Sequence, residues 1–142
     1  MPQGMTRAPY VLDDQIGYIL RRVTQRHLAI FAQAIPDVTT TQFAVLMRLA
    51  ELGPQSQNAL GRETAMDAAT IKGVVDRLAR QGLVATTPDT ADRRRLNVAL
   101  TEAGAALVAR LTDTALGVSD QTLAPLSSDE RARLITLLSR LA

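Results

Sequence analysis

Between Asp67 and Thr101 the chain changes its hydrophobic period from that of a helix to that of a strand around one cluster of arginines, and few folds accommodate that order. Ile71, Val74, Val75 and Leu78 recur at the offsets that lay one apolar stripe along a helix. Asp67 stands in front as N-cap and Gly82 behind as C′ glycine, so the helix is short and has defined ends. Its other face carries Ala68, Ala69, Thr70, Lys72, Gly73, Asp76, Arg77 and Arg80, small residues first and cations further along. Small side chains let a helix backbone approach a groove closely. After Gly82, Leu83 to Thr87 reads as a strand, Pro88 to Asp92 as a turn, and Leu96 to Leu100 alternates with period two. A hairpin results, with Arg93, Arg94 and Arg95 at its tip. Three adjacent cations on a solvated turn repel one another unless a polyanion is their neighbour.

An arginine triplet taken alone is ordinarily just a solvated loop. The segment upstream changes its weight. Gln57 to Thr64 reads as a short helix holding Leu60, and Ala65-Met66 as a turn into the Asp67 helix, so a helix-turn-helix runs directly into the basic hairpin. Charge follows the same division: residues 56–95 hold seven cations against five anions, and residues 96–142 four against five. The first 35 residues are also +2, through Arg7, Arg21, Arg22 and Arg26 against Asp13 and Asp14. The net charge of +2 for the whole chain says far less than this distribution.

With these pieces in place the chain resembles the MarR family of transcription regulators over nearly its whole length. The resemblance is carried by Thr70 to Leu78 (TIKGVVDRL), Gly82-Leu83-Val84, the tip Asp92-Arg93-Arg94 and the exit Leu100-Thr101-Glu102-Ala103-Gly104. It implies a mainly α fold with a small β-hairpin wing: a winged helix-turn-helix at 39–100, with dimerisation helices at 13–34 and 101–142. It also implies that Asp92 braces Arg94 by an ion pair and that Arg93 or Arg94 enters the DNA minor groove, where a narrow A-tract attracts arginine electrostatically.

The remaining pattern fits one domain of 142 residues with enough apolar content, 46%, for a packed core. Asp13 to Ala34 puts Ile16, Ile19, Leu20, Val23, Ile30 and Phe31 on one stripe and stops at Pro36. Thr39 to Leu52 turns Phe43, Leu46, Met47 and Leu49 inward and stops at Gly53-Pro54. A long helix spans Thr101 to Leu123, and Ser127 to Glu130 is a capping box that opens a last helix bearing Leu134, Leu137, Leu138 and Leu141. The terminal helices hold more apolar residues than one small winged helix can cover, which predicts a homodimer. A twofold dimer sets its recognition helices about one DNA turn, roughly 34 Å, apart on a near-palindromic operator.

Absences narrow the chemistry. The chain has no cysteine, which removes disulfides, thiolate metal sites and the peroxide-sensing branch of the family, and one histidine, which removes a zinc site with two or more imidazoles within one chain. The longest stretch without a charged residue is ten, too short to span a bilayer, and no basic start precedes an apolar core, so a cytoplasmic protein without membrane attachment is expected. No paired carboxylates, nucleophile with a convergent base, or phosphate-binding glycine loop is recognisable. Neither catalysis nor a cofactor is therefore expected.

The resemblance further implies a small, often anionic aromatic ligand, an aromatic acid or its coenzyme A thioester, held in an apolar cleft with a few polar groups. Candidates cluster on the first helix: Arg22, Arg26 and His27, with Tyr18, Phe31 and Phe43 as the aromatic surfaces. His27 falls between Val23 and Ile30, where it serves either a ligand or a hydrogen-bonded interface. Arg22 and Arg26 have three candidate partners: a ligand carboxylate, Asp13 and Asp14, or DNA phosphates. The function expected is a ligand-responsive repressor whose Ala69, Thr70, Lys72, Gly73 and Arg77, with Asp92, Arg93, Arg94 and Arg95 of the wing, form the double-stranded DNA contact. The alternative is a nonspecific architectural DNA binder, distinguished by equal affinity for its own upstream DNA and random DNA.

Overall fold

The computed structural model describes residues 8–142. Arg7 of the N-terminal basic excess lies outside them. The first helix opens later than its pattern suggests. Leu12–Asp14 is a single 3-10 turn, Gln15 is extended, and α1 runs Ile16–Ala34. Gln15 returns its side-chain amide to the Val11 carbonyl at 3.0 Å, which closes the 3-10 turn and separates Asp13 and Asp14 from the helix. The helix α1 ends at Ile35, whose N–H reaches Phe31, because Pro36 disfavours α geometry in the residue before it.

Helix α2 (Thr40–Leu52) is opened by a capping box in which Thr39 and Gln42 exchange side-chain and backbone hydrogen bonds, so the buried Gln42 amide has a partner. It is stopped by Gly53 at φ +77. Next come β1 (Gln55–Ser56), α3 (Gln57–Glu63) and α4 (Ala68–Arg80). Ala65, at φ +56, turns the chain between α3 and α4, and the absent side chain of Gly61 lets the two helices cross. A Cβ on Gly61 would sit 3.1 Å from the Met66 carbonyl and 3.3 Å from Ile71 Cγ2.

The hairpin strands are β2 (Val84–Pro88) and β3 (Leu96–Leu100), paired antiparallel with Val84 opposite Leu100 and Pro88 opposite Leu96. The first strand is thus shifted one residue beyond the Leu83–Thr87 expectation. Pro88 fits inside it because β2 is an edge strand, where a missing N–H costs least. Strand β1 adds a third member beyond β3, giving the order β1-β3-β2. Two residues show no alternation, so the sequence pattern does not reveal it.

Helix α5 (Glu102–Thr122) starts at a lock. Thr101 accepts from Gly104 N–H, donates its hydroxyl to the Gly82 carbonyl at 2.6 Å, and donates its N–H to the Leu83 carbonyl at 3.1 Å. A Cβ on Gly104 would collide with that Leu83 carbonyl oxygen. The end of α4, the base of the wing and the start of α5 therefore move together. Helix α6 (Ser128–Ser139) follows, opened by the Ser127–Glu130 capping box.

The core joins Val45, Leu46 and Leu49 of α2, Leu60 of α3, the Ile71, Val74, Val75 and Leu78 stripe of α4, Val98 of β3 and Val108 and Leu111 of α5. Each such side chain contributes roughly 1.5–3 kcal/mol over an exposed one. The ends of the molecule differ. Of the α1 stripe only Phe31 is buried; Ile16, Ile19, Leu20 and Val23 are exposed, and α6 buries none of its residues. Phe43 and Met47, expected inward, are half-buried: they pack against the core and also line a cavity.

Candidate nucleic-acid interface and ligand cavity

Asp67 fixes where α4 begins. Its carboxylate accepts from the Thr70 N–H at 2.7 Å, and that bond, first among the causes, holds the carboxyl below the usual range. With four apolar residues committed to the core, the helix leaves Ala69, Thr70, Lys72 and Arg77 exposed and Gly73 half-buried on one outward side. Nothing lies within 4 Å of where a Gly73 side chain would start, so this glycine opens a notch rather than fitting a contact. Lys72 pairs with Asp76 at 2.9 Å across one turn, both well exposed. Such pairs are worth a few tenths of a kcal/mol, so exchanging Asp76 for a phosphate costs little.

The wing tip is a tight construction. The Arg95 carbonyl accepts from Asp89 N–H at 2.8 Å, and Asp92 accepts from the Arg95 N–H at 2.9 Å through its own carbonyl. The Asp92 carboxylate takes both the Arg94 backbone N–H at 3.1 Å and the Arg94 Nε at 3.3 Å. Arg94 is nonetheless 93% exposed, because one edge of its guanidinium is held and the other projects to solvent. Arg93 and Arg95 are exposed and form no ion pair among the described residues.

A cavity of about 320 Å³ lies where α1, α2 and α5 meet. Its walls are His27 and Phe31 from α1, Thr40, Phe43, Ala44 and Met47 from α2, and Thr112, Ala115, Leu116, Val118 and Ser119 from α5. Phe31 and Phe43 meet edge to face, centroids 5.8 Å apart. The cavity is apolar with three hydroxyls and one imidazole, and no lysine, arginine or carboxylate lines it.

The six candidates for this role divide. His27, Phe31 and Phe43 line the cavity, whereas Tyr18, Arg22 and Arg26 do not. Arg26 instead donates to the carbonyls of Thr122 at 2.7 Å and Gln121 at 2.9 Å, closing the C-terminal end of α5, and is not paired with Asp13 or Asp14. Arg22 lies over the Tyr18 ring at 5.9 Å, beside the exposed apolar stretch of α1. The cavity residues on α5 escaped the sequence reading. Their signal is a pair of hydroxyls seven apart, Thr112 and Ser119, on one face of a helix otherwise rich in Ala, Leu and Val. Among the described residues no group of three or more His, Cys, Asp or Glu could hold a metal, and no helix is long and apolar enough to cross a membrane.

A helix-turn-helix with an exposed recognition helix, a basic wing and terminal helices α1 and α6 that bury little on their own defines a DNA-binding winged-helix protein. Residues 38–96 match the MarR family. The HTH-type transcriptional repressor NicR of Pseudomonas putida is 40% identical over 96% of this chain and 88% of its own. Among solved structures, one from Pseudomonas aeruginosa is 52% identical with TM-score 0.90, covering 93% of this chain and 100% of its own. Another, Bordetella bronchiseptica BpsR, whose DNA binding is regulated by 6-hydroxynicotinic acid, is 40% identical with TM-score 0.90, covering 94% of this chain and 97% of its own. The chain belongs to the MarR family and is a DNA-binding transcription regulator.

Proposed function

We propose that the protein is a homodimeric, cytoplasmic repressor that holds a near-palindromic operator and releases it when a small monocyclic aromatic acid fills the His27 cavity. One observation carries this reading: the cavity walls come from α1 and α5, which belong to the terminal helices, and from α2, which packs under the recognition helix. Phe43, Ala44 and Met47 also line a groove that reaches Thr64 and Ala65 at the helix-turn-helix turn. A ligand that shifts α2 against α5 therefore reorients α4, and with it the spacing of the two recognition helices in a dimer.

On DNA, residues 39–100 form the reading unit and 13–34 with 101–142 the dimer. Ala69, Thr70 and Gly73 face base edges in the major groove, Lys72 and Arg77 neutralise phosphates, and Arg93, Arg94 and Arg95 reach the minor groove and backbone from a tip braced by Asp92. His27 supplies the polar contact for a ligand carboxylate, and Phe31 and Phe43 the faces for its ring. The free acid suits the cavity better than its coenzyme A thioester, since no cation in the lining would receive the coenzyme's phosphates.

Fluorescence anisotropy on DNA upstream of the protein's own gene and on scrambled DNA, at physiological salt, tests this. Preferential binding reversed by 6-hydroxynicotinic acid is the expected result. Equal binding to both DNAs replaces the repressor with the architectural binder, and specific binding indifferent to a panel of aromatic acids removes the ligand.

A further inference from the structure

His27 meets the C-terminal end of α5 through its inner ring nitrogen: Nδ1 lies 2.7 Å from the Thr122 hydroxyl, and both residues are half-buried. Arg26, the neighbouring residue on α1, holds the Thr122 and Gln121 carbonyls, so the backbone that carries this hydroxyl is fixed. The hydroxyl has no other partner among the described residues, unlike that of Thr112, which bonds back to the Val108 carbonyl at 2.7 Å.

Two arrangements satisfy the 2.7 Å contact in a neutral ring. If Nδ1 carried the proton, the half-buried Thr122 hydroxyl proton would have no acceptor among the described residues, and Nε2 would be left a bare, lone-pair nitrogen. If Thr122 donates to Nδ1, its proton is used, and the ring proton sits on Nε2, the nitrogen this contact leaves free on a residue that lines the cavity, where water or a ligand oxygen can accept it. The second arrangement gives the Thr122 proton an acceptor within the protein, and an unmade hydrogen bond at a half-buried donor is the costlier fault.

We infer that Thr122 is a positioning residue that fixes His27 as its Nε2–H tautomer, so the cavity presents a hydrogen-bond donor to an anionic or carbonyl oxygen. The cavity then selects a carboxylate without a lysine or arginine in its lining. This consequence rests on the ligand reading above; the tautomer does not.

The chain has a single histidine, so a long-range ¹H–¹⁵N correlation spectrum of tag-free, ¹⁵N-labelled protein under mildly alkaline conditions reports this ring alone. The expected spectrum has a protonated Nε2 and a lone-pair Nδ1; the reverse overturns the inference. Thr122→Val should lose the fixed tautomer and Thr122→Ser should keep it, and an unchanged ring in Thr122→Val removes Thr122 from the role. In titrations with 6-hydroxynicotinic acid, Thr122→Val should bind roughly two- to tenfold more weakly, as the competent ring fraction falls, with Thr122→Ser close to the parent. Equal affinity in Thr122→Val overturns the link to binding. A parent protein with the assigned tautomer that ignores 6-hydroxynicotinic acid and a panel of other aromatic acids supports the tautomer and instead sinks the aromatic-acid reading.

Discussion

At the scale of single residues, the recognition helix separates stability from binding at Gly73. A glycine in mid-helix is roughly 0.8–1 kcal/mol worse than alanine, and the empty space around this one shows that core packing does not require it. Gly73→Ala should therefore raise the thermal midpoint while weakening operator binding, because the methyl group fills the notch through which the backbone nears the groove. Calorimetry and anisotropy on the same preparation check both halves; a stabilised variant with full affinity places the DNA contact elsewhere. Arg94 gives the complementary case. Its side chain is almost wholly exposed, so Arg94→Ala should leave melting unchanged and flatten the salt dependence of log K by about 0.9, one phosphate's worth. Asp92→Ala keeps the cation but removes the acceptor of two Arg94 hydrogen bonds. It should lower affinity less at low salt, and amide exchange at the tip should quicken. An unaltered salt slope in Arg94→Ala would take the wing arginine off the phosphates.

At the scale of elements, caps carry the helix boundaries, and two of them titrate. The carboxyls of Asp67 and Glu130 are both held below their usual values, the first chiefly by the Thr70 N–H and the second by the Ser127 N–H. A depressed carboxyl stabilises the fold fully above its unfolded value and loses that stabilisation as pH falls through its folded value, hence below about pH 4. Asparagine caps as well as aspartate but does not titrate. Urea midpoints at about pH 6 and pH 3 should thus differ less in Asp67→Asn than in the parent; an identical drop would mean that the Asp67 cap adds nothing to acid sensitivity. The same caps explain what was legible in the sequence. Asp67, Gly82, Pro36, Gly53 and the Ser127 box are local signals, and each lies at or within two residues of an observed boundary. The chemistry of the recognition helix is equally local, since one stripe inward fixes the face turned outward. The cavity is not local. It depends on α5 folding back against α1 across 95 residues, an apposition that periodicity does not encode, and the contact diverts Arg26 from a candidate ligand partner to a clamp on α5. Strand β1 escaped for a different reason, since its pairing with β3 is its only signature.

At the scale of the molecule, the exposed apolar residues are what the proposed dimer rests on. Val11, Leu12, Ile16, Ile19, Leu20 and Val23 lie along the start of the chain, and Ile135, Leu137 and Leu141 along its end, all at least 40% exposed in the single chain. The lock at Thr101 and Gly104 ties each wing to its own α5. Pairing these terminal helices with a second copy would therefore set the distance between two reading heads rigidly enough for one operator to accept both. Ile16→Glu places a charge where the single chain has only water, so the fold should survive and circular dichroism should match the parent. The dimer should not survive: sedimentation should give the mass of one chain, and operator affinity should fall by roughly a hundredfold or more, since the second head no longer binds at an effective concentration set by the first. Half-site affinity should be nearly untouched, which separates loss of pairing from damage to the winged helix. A variant that still sediments as a dimer with full operator affinity would move the interface away from the start of α1, leaving α6 as the surface to vary next.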